Sequence, residues 1–187
     1  MDPRIHRFEN PARVAELNPE ATLGRLGLRA GQVVCDIGAG SGVFTLPAAR
    51  MTRGRVYAID IRRDMLDLIA GKAAAEGLDQ VVLLEPRGDR YDLSDGEVDL
   101  VLMVTVLHEI DRAADVLAEV RRILATGGQV AVIEFHPWRT PMGPPPEQRM
   151  DGERIRSLLA DAGFTRLDVF DLGENFACQV FGAAGDR

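Results

Sequence analysis

The sequence predicts an α/β fold: a doubly wound, mostly parallel seven-stranded sheet with one antiparallel C-terminal strand. From residue 31 onward, short β-branched runs alternate with amphipathic helical segments, as in successive βαβ units. A glycine-rich turn follows the first of these runs. Only Gly173-Glu174-Asn175 separates the last two runs. So short a connection joins antiparallel strands, because parallel strands need a crossover of about a dozen residues or more.

The individual elements follow from apolar patterning. The predicted strands are residues 33–37, 55–59, 81–85, 98–104, 129–135, 165–172 and 176–182. Three helices between them carry apolar stripes at helical spacing and end near glycines. The stripes are Met65, Leu66, Ile69 and Ala73; Val116, Val120, Ile123 and Leu124; and Ile155, Leu158, Leu159 and Ala162, with ends at Gly77, Gly127 and Gly163. We interpret all three stripes as core-facing surfaces.

The length of 187 residues is typical of one domain, and we expect residues 1–187 to form a single one. A chain of this size buries about 70% of its unfolded surface. Residues 31–187 are the predicted sheet core. Two short helices, at 11–17 and 19–28, form a predicted N-terminal helical cap within residues 1–30. They are too short to be an independent domain, but they could cover a site.

The charge balance favours a small-molecule partner. A formal net charge of -7 argues against a sequence-independent grip on nucleic acid, which requires Lys and Arg to neutralise phosphates. The basic pairs Arg62-Arg63 and Arg121-Arg122 lie in predicted helices, and we interpret them as solvated faces. Nucleic acid is therefore not the expected partner.

The two cysteines, Cys35 and Cys178, each lie in a predicted strand and are interpreted as small core residues. They form neither a metal-ligand spacing nor a disulfide framework, so no metal is expected. No apolar stretch approaches the length of a membrane span, and the N-terminus has no apolar signal core. We therefore expect a cytoplasmic protein.

The strongest local motif is the turn Gly38-Ala39-Gly40-Ser41-Gly42 after the first strand. Its glycines allow positive φ and the close approach of a ligand, although a plain tight turn is the alternative. The spacing is G-x-G-x-G, whereas dinucleotide binding uses G-x-G-x-x-G, and Val43 follows here. The next helix should begin at about Gly42 or Val43, so that Pro47 falls in its first turn.

The second strand ends at Asp60, where a carboxylate at the carboxyl edge of the sheet can bind both hydroxyls of a ribose. The alternative is that Asp60 caps the following helix. Ile61 comes next and would supply an apolar surface beneath a base. The pair favours a nucleoside-containing ligand.

Together with Gly88-Asp89 and the strand at 98–102, these motifs resemble the class I S-adenosylmethionine-dependent methyltransferases, whose fold is Rossmann-like. The resemblance covers residues 31–182. It is strongest to the small-molecule methyltransferases that include the ubiquinone and menaquinone biosynthesis C-methyltransferases. It implies a transferase that uses S-adenosyl-L-methionine as its cofactor.

The resemblance also implies roles for residues near the ends of the first four strands. Asp36 and the glycines Gly38, Gly40 and Gly42 would hold the methionine end of the cofactor, and Thr105 would offer its backbone carbonyl to the ammonium group. Asp60 would bind the ribose hydroxyls, with Ile61 beneath the base. Asp89 would accept a hydrogen bond from the adenine amino group, and Arg90 would supply a backbone donor beside it. The segment after Asp89 is shorter than the usual family pattern, so Asp92 is an alternative adenine ligand.

The expected reaction is in-line transfer of a methyl group to a small-molecule acceptor; the alternative is a non-catalytic cofactor-binding regulatory or partner subunit. Glycine spacing and the terminal hairpin oppose a nicotinamide-dependent oxidoreductase. The acceptor should lie near the loops after residues 104 and 135 and the N-terminal helices. His108 is the candidate base, with a structural role as the alternative. The proline-rich segment 136–146 is either a lid or a surface connection with Trp138 packed in a groove.

Overall fold

A computed structural model describes residues 3–88 and 90–185. The strands are β1 Val34–Ile37, β2 Val56–Ile59, β3 Val81–Leu84, β4 Val98–Val104, β5 Leu124–Phe135, β6 Phe164–Leu172 and β7 Phe176–Ala183. The helices are α1 Pro3–Phe8, α2 Pro11–Leu17, α3 Pro19–Arg25, α4 Thr45–Thr52, α5 Arg63–Glu76, α6 Ala113–Ile123 and α7 Gly152–Asp161. One seven-stranded mixed sheet has the order β3-β2-β1-β4-β5-β7-β6, which confirms the predicted fold class.

The chain divides into two compact units, residues 1–92 and 93–187. That the whole chain is one domain stays a prediction. In the first unit β1, β2 and β3 are parallel neighbours, with Val34 opposite Val56 and Val56 opposite Val81. Apolar side chains of Ala58 and Ile69 pack together above this sheet.

The helix α4 begins at Thr45, later than the predicted start at Gly42 or Val43. Gly42 has φ of 84°, a left-handed conformation that cannot belong to a right-handed helix. Pro47 still falls in the first turn, where its missing N–H costs no hydrogen bond, as predicted.

Two of the N-terminal helices are begun by the same dipeptide, Asn-Pro. The Asn10 side chain accepts a hydrogen bond from Ala12 N–H at 2.9 Å, and each asparagine is followed by a proline at the first helical position. Both helices were predicted, and that residues 1–30 act as a cap stays a prediction. The α1 helix was not predicted, because its six residues are too few for a periodic pattern. The α3 helix ends at Arg25 and not at residue 28, since Gly27 turns to φ of 76°.

In the second unit β7 runs antiparallel to both of its neighbours, β5 and β6. It is therefore the predicted antiparallel strand, and it lies between the other two. The three-residue connection begins with Gly173 at φ of 64°.

The junction between α6 and β5 differs from the prediction. The helix ends at Ile123, before the predicted stop at Gly127, because Leu124 is already extended with ψ of 127°. Strand pairing then jumps from Val98 opposite Leu124 to Leu100 opposite Gln129. Residues 125–128 therefore form a bulge within β5, and its glycines serve that bulge and not a helix end.

The predicted apolar stripes face the interior. Buried members are Met65, Leu66, Ile69, Ala73, Val116, Val120, Ile123, Leu124, Ile155 and Leu159. Cys35 and Cys178 are buried thiols, as expected of small core residues. Among the described residues, no helix is both long and apolar enough to cross a membrane.

Candidate active site

The glycine turn after β1 is built on backbone hydrogen bonds to the end of β2. The N–H groups of Gly38 and Ala39 both donate to Ile59 O, at 2.8 and 3.0 Å. Gly38, Gly40 and Gly42 have φ of 71°, 52° and 84°. Space matters as well, because a Cβ on Gly42 would lie 3.1 Å from Ile69 Cγ1. The positive φ therefore favours glycine at position 42, and a side chain there would also crowd Ile69.

Asp60 joins this turn to the segment that follows β2. Its Oδ2 accepts the N–H of Gly40 at 2.8 Å, and its Oδ1 accepts the N–H of Arg62 at 2.9 Å. Since α5 has Arg62 as its N-cap, Asp60 is not the capping residue. A carboxylate has about four acceptor positions, so it can receive further hydrogen bonds while it holds the turn.

Asp36 lies beneath the turn and is 2% exposed. Thr45 Oγ1 donates to its Oδ2 at 2.6 Å. Burial raises the pKa of Asp36 from 3.8 to about 6; the negative charge of Asp60 adds to the rise, and the Thr45 hydrogen bond opposes it. The carboxyl group is thus poised to ionise near neutral pH, most favourably beside a positive charge.

The end of α1 and the residue after it lie beside the glycine turn. The ring of Phe8 would lie 3.5 Å from a Cβ on Gly40. Lys72 on α5 donates to Ser41 O at 2.8 Å and forms an ion pair with Glu9. Phe8 and Glu9 therefore lie close to this turn.

Two side chains at this edge of the sheet, Ser41 and Ile61, have unusual surroundings. Ser41 Oγ is buried and has no hydrogen-bond partner among the described residues, although buried hydroxyls are normally satisfied. Ile61 is the most exposed of the large apolar side chains among the described residues, with 85% of its surface accessible. Donors, acceptors and an exposed apolar side chain therefore lie at the ends of β1 and β2.

Other predicted ligands lie farther along the chain. Asp89 lies outside the described residues. Arg90 N–H already donates to Arg87 O at 3.4 Å, so a base would have to share or replace that long hydrogen bond. Asp92 is exposed. Thr105 has φ of 51°, a strained conformation for a β-branched residue and one that clusters at functional sites.

His108 has a partner that the sequence analysis missed. Its Nδ1 lies 2.7 Å from Oε2 of Glu134, near the end of β5, and Glu134 is 3% exposed. The available signal was a lone carboxylate within the apolar run Val130-Ala-Val-Ile-Glu-Phe. Buried carboxylates are rare unless paired, so this residue pointed to a partner.

The proline-rich segment is held in place by Arg149. Its guanidinium donates to the carbonyl oxygens of His136 at 2.9 Å, Trp138 at 2.7 Å, Met142 at 3.1 Å and Pro144 at 2.7 Å, and to Thr140 Oγ1 at 2.9 Å. Trp138 stacks on the His136 ring with centroids 4.3 Å apart, and it is 59% exposed. Trp138 borders a cavity of about 430 Å³. One of the two interpretations expected Trp138 to be packed in a groove, and its exposure does not agree with that.

Comparison with known proteins agrees with this geometry. The sequence profile of the family described as "Methyltransferase domain" matches residues 34–128, from the start of β1 to the β5 bulge. The chain belongs to this methyltransferase family. The match includes the glycine turn, Asp60 and His108.

Two of the curated relatives are also named as methyltransferases. The chain is 29% identical over 117 residues to the ubiquinone/menaquinone biosynthesis C-methyltransferase of Marinomonas sp., covering 61% of this chain and 47% of that protein. It is 34% identical over 115 residues to the demethylmenaquinone methyltransferase of Tropheryma whipplei, covering 61% of this chain and 46% of that protein. The chain spans about half the length of the curated relatives it matches.

One solved structure resembles nearly the whole chain. It is a SAM-dependent methyltransferase from Aquifex aeolicus, with a TM-score of 0.90 and 28% identity over 97% of this chain and 98% of that one. The predicted resemblance to class I methyltransferases is confirmed. The predicted class of enzyme and its cofactor, S-adenosylmethionine, are confirmed at the level of the family.

Proposed function

We propose that this methyltransferase transfers a methyl group from S-adenosylmethionine to a small-molecule acceptor by in-line displacement. The observation that carries the proposal is the Asp60 carboxylate, which holds the glycine turn through Gly40 N–H and keeps acceptor positions for a ribose. A dinucleotide is disfavoured by the G-x-G-x-G spacing.

Each end of the cofactor has residues suited to it. Asp36 and the turn from Gly38 to Gly42 would hold the methionine end, where the ammonium charge favours ionised Asp36. Asp60 would bind the ribose hydroxyls, and Ile61 would support the base. Asp89 with Arg90 would read the adenine edge, and Thr105 would offer its carbonyl to the ammonium group.

When bound, the cofactor supplies an electrophilic methyl group on a sulfonium. The chain's own contribution is chiefly positioning, since well-oriented reactants gain up to about 7–11 kcal/mol over free encounter. A small acceptor is supported by the charge of -7 and by the pairing of Arg63 with Asp67 and Glu85, which leaves no strong basic patch there for a polyanion.

Binding tests the cofactor half of the proposal. S-adenosylmethionine and S-adenosylhomocysteine should both raise the melting temperature, because a ligand at one hundred times its Kd stabilises by about 2.7 kcal/mol. NAD and NADP should not. A larger shift with NAD than with S-adenosylmethionine would overturn the assignment.

Turnover tests the transfer half. Metabolite extracts are incubated with the protein and methyl-labelled S-adenosylmethionine, and label is sought in small products. Labelled product above a control lacking protein supports the proposal. Cofactor binding with no labelled product in any extract contradicts the transfer and favours a binding subunit.

A further inference from the structure

His108 and Glu134 form a dyad within the second unit. The 3₁₀ helix Leu107–Glu109 follows β4 and carries the histidine, while Glu134 is the penultimate residue of β5. Glu134 Oε2 lies 2.7 Å from His108 Nδ1, and Glu134 Oε1 accepts the backbone N–H of His108 at 3.3 Å. One buried carboxylate therefore fixes both the backbone and the ring of the same residue.

This arrangement selects one tautomer of the neutral imidazole. An ionised carboxylate only accepts hydrogen bonds, so Nδ1 must carry the proton that points at it. The neutral ring then has its lone pair on Nε2. If Nε2 takes a second proton, the imidazolium charge faces Glu134 and is stabilised there. Glu109 is a second carboxylate near the ring, with its Oε1 at 3.8 Å from Nε2.

The burial of the Glu134 carboxylate opposite a histidine is energetically unfavourable, which indicates that the pair has a function. Burying Glu134 has a desolvation cost, and an apolar side chain at this strand position would avoid it. His108 follows β4 and Glu134 lies near the end of β5, so the dyad is at the carboxyl ends of these strands. Open α/β sheets bind ligands at that edge. A paired base at that edge is expected where a proton must be removed.

Resting on the proposed methyl transfer, we infer that His108 is the general base, that Glu134 is its positioning residue, and that the acceptor is a neutral weak acid. Such an acceptor has an O–H or an activated C–H bond that must lose its proton. Nε2 of His108 takes that proton, and the electron pair of the broken bond forms the new bond to the methyl carbon. The pair of the cleaved carbon–sulfur bond stays on sulfur, and the proton then passes from His108 to water. A thiolate or a tertiary amine would not need this base.

The first test uses the protein without cofactor. The chain has three histidines, so ¹⁵N-histidine spectra can be assigned with single substitutions. We expect His108 to be protonated on Nδ1 when neutral. The substitution Glu134→Gln should move the titration midpoint of His108 to lower pH by about one unit, because the negative charge that stabilises the imidazolium is lost. Glu109→Gln is the matched control and should move it much less. Protonation on Nε2 in the wild type overturns the dyad without any variant.

The second test uses the acceptor identified from labelled extracts. His108→Ala should lower kcat about 10²-fold or more near neutral pH. Glu134→Gln should lower kcat with little change in KM, and the loss should shrink at higher pH as the acceptor ionises by itself. Glu134→Asp should restore part of the rate. A loss that is the same at every pH and that follows the melting temperature means a structural role and overturns the inference.

The two proposals fail separately. If no acceptor is methylated while the spectra show the Nδ1-protonated ring, the transfer reaction is wrong and the dyad remains. If the identified acceptor is a tertiary amine or reacts as a thiolate, and so has no proton to lose, the transfer is right and the assigned acceptor class is wrong.

Discussion

The carboxylate of Asp60 accepts the backbone N–H of Gly40 at 2.8 Å, and this contact ties the end of β2 to the turn after β1. The residue proposed to bind the ribose is therefore also part of the frame of the glycine turn. A single substitution at this position should change two properties at once.

We predict that Asp60→Ala weakens S-adenosylmethionine binding by about tenfold to more than a hundredfold, since hydrogen bonds to a charged acceptor contribute about 1.5–3 kcal/mol each. It should also lower the melting temperature of the ligand-free protein, because the N–H groups of Gly40 and Arg62 lose their acceptor. Asp60→Asn should be intermediate. Calorimetric titration and thermal unfolding measure the two effects.

The control for this prediction is Asp67→Ala, which removes an exposed carboxylate on α5 that pairs only at the surface with Arg63. It should change neither property appreciably. An unchanged Kd in folded Asp60→Ala protein would withdraw the ribose role and leave Asp60 as a structural residue.

Asp36 should make stability depend on pH. Burial raises its pKa from 3.8 to about 6 in the folded state, so between these values the folded protein holds a proton that the unfolded chain has lost. The free energy of unfolding should therefore fall as pH rises from about 4 to about 6 and then level off, by at most about 3 kcal/mol from this group. Urea unfolding across this range measures it.

Asp36→Asn separates this contribution from those of other groups. The variant cannot ionise at this position, so the difference in unfolding free energy between variant and wild type should change with pH between 4 and 6. Two parallel pH profiles would show that the Asp36 carboxyl is not shifted.

Glycines in two different environments should respond in opposite ways to alanine. Gly42→Ala places a methyl group 3.1 Å from Ile69 Cγ1 at φ of 84°, where a left-handed conformation alone costs about 1–2 kcal/mol. Gly71→Ala meets nothing within 4 Å and is in α5, so it should stabilise by about 1 kcal/mol, or about 2–4 °C in Tm. Thermal unfolding compares them, and a stabilised Gly42→Ala would contradict the packing described.

The sequence was sufficient for features that depend on neighbouring residues. The three-residue Gly173-Glu174-Asn175 connection predicted the antiparallel β7, because chain length alone forbids a crossover there. The glycine turn and Asp60 were recognised for the same reason, since each stands directly after an apolar strand.

Features that depend on distant partners were not predictable. Glu134 is 26 positions from His108, and no local pattern says which side chain a buried carboxylate meets. The β5 bulge was missed because helix and strand both bury Leu124, and only its pairing with Val98 decides between them. The hydrogen bond from Gly40 to Asp60 likewise appears only when β1 and β2 are aligned.

The last prediction concerns the proline-rich segment, for which two interpretations were open. Arg149 makes five hydrogen bonds to residues 136–144, and its side chain lies over the Phe135 ring with Cζ 5.3 Å from the centroid. Asn175 adds a further contact, since its Oδ1 accepts Met142 N–H at 3.0 Å. The segment is thus held by hydrogen bonds from its first residue, His136, to Pro144 near its end. This favours a fixed connection over a freely opening lid.

Arg149→Ala should release this segment, because four carbonyl oxygens lose a charged donor together. We expect a lower melting temperature, faster proteolysis within residues 136–148, and a changed emission from Trp138, the single tryptophan, as it leaves the His136 ring. Arg149→Lys keeps the charge but not the planar fork of donors, so it should recover only part of each property. Arg156→Ala, which removes an exposed ion pair on α7, is the matched control. Wild-type emission and proteolysis in Arg149→Ala would show that the segment is held by its prolines and its Asn175 contact alone.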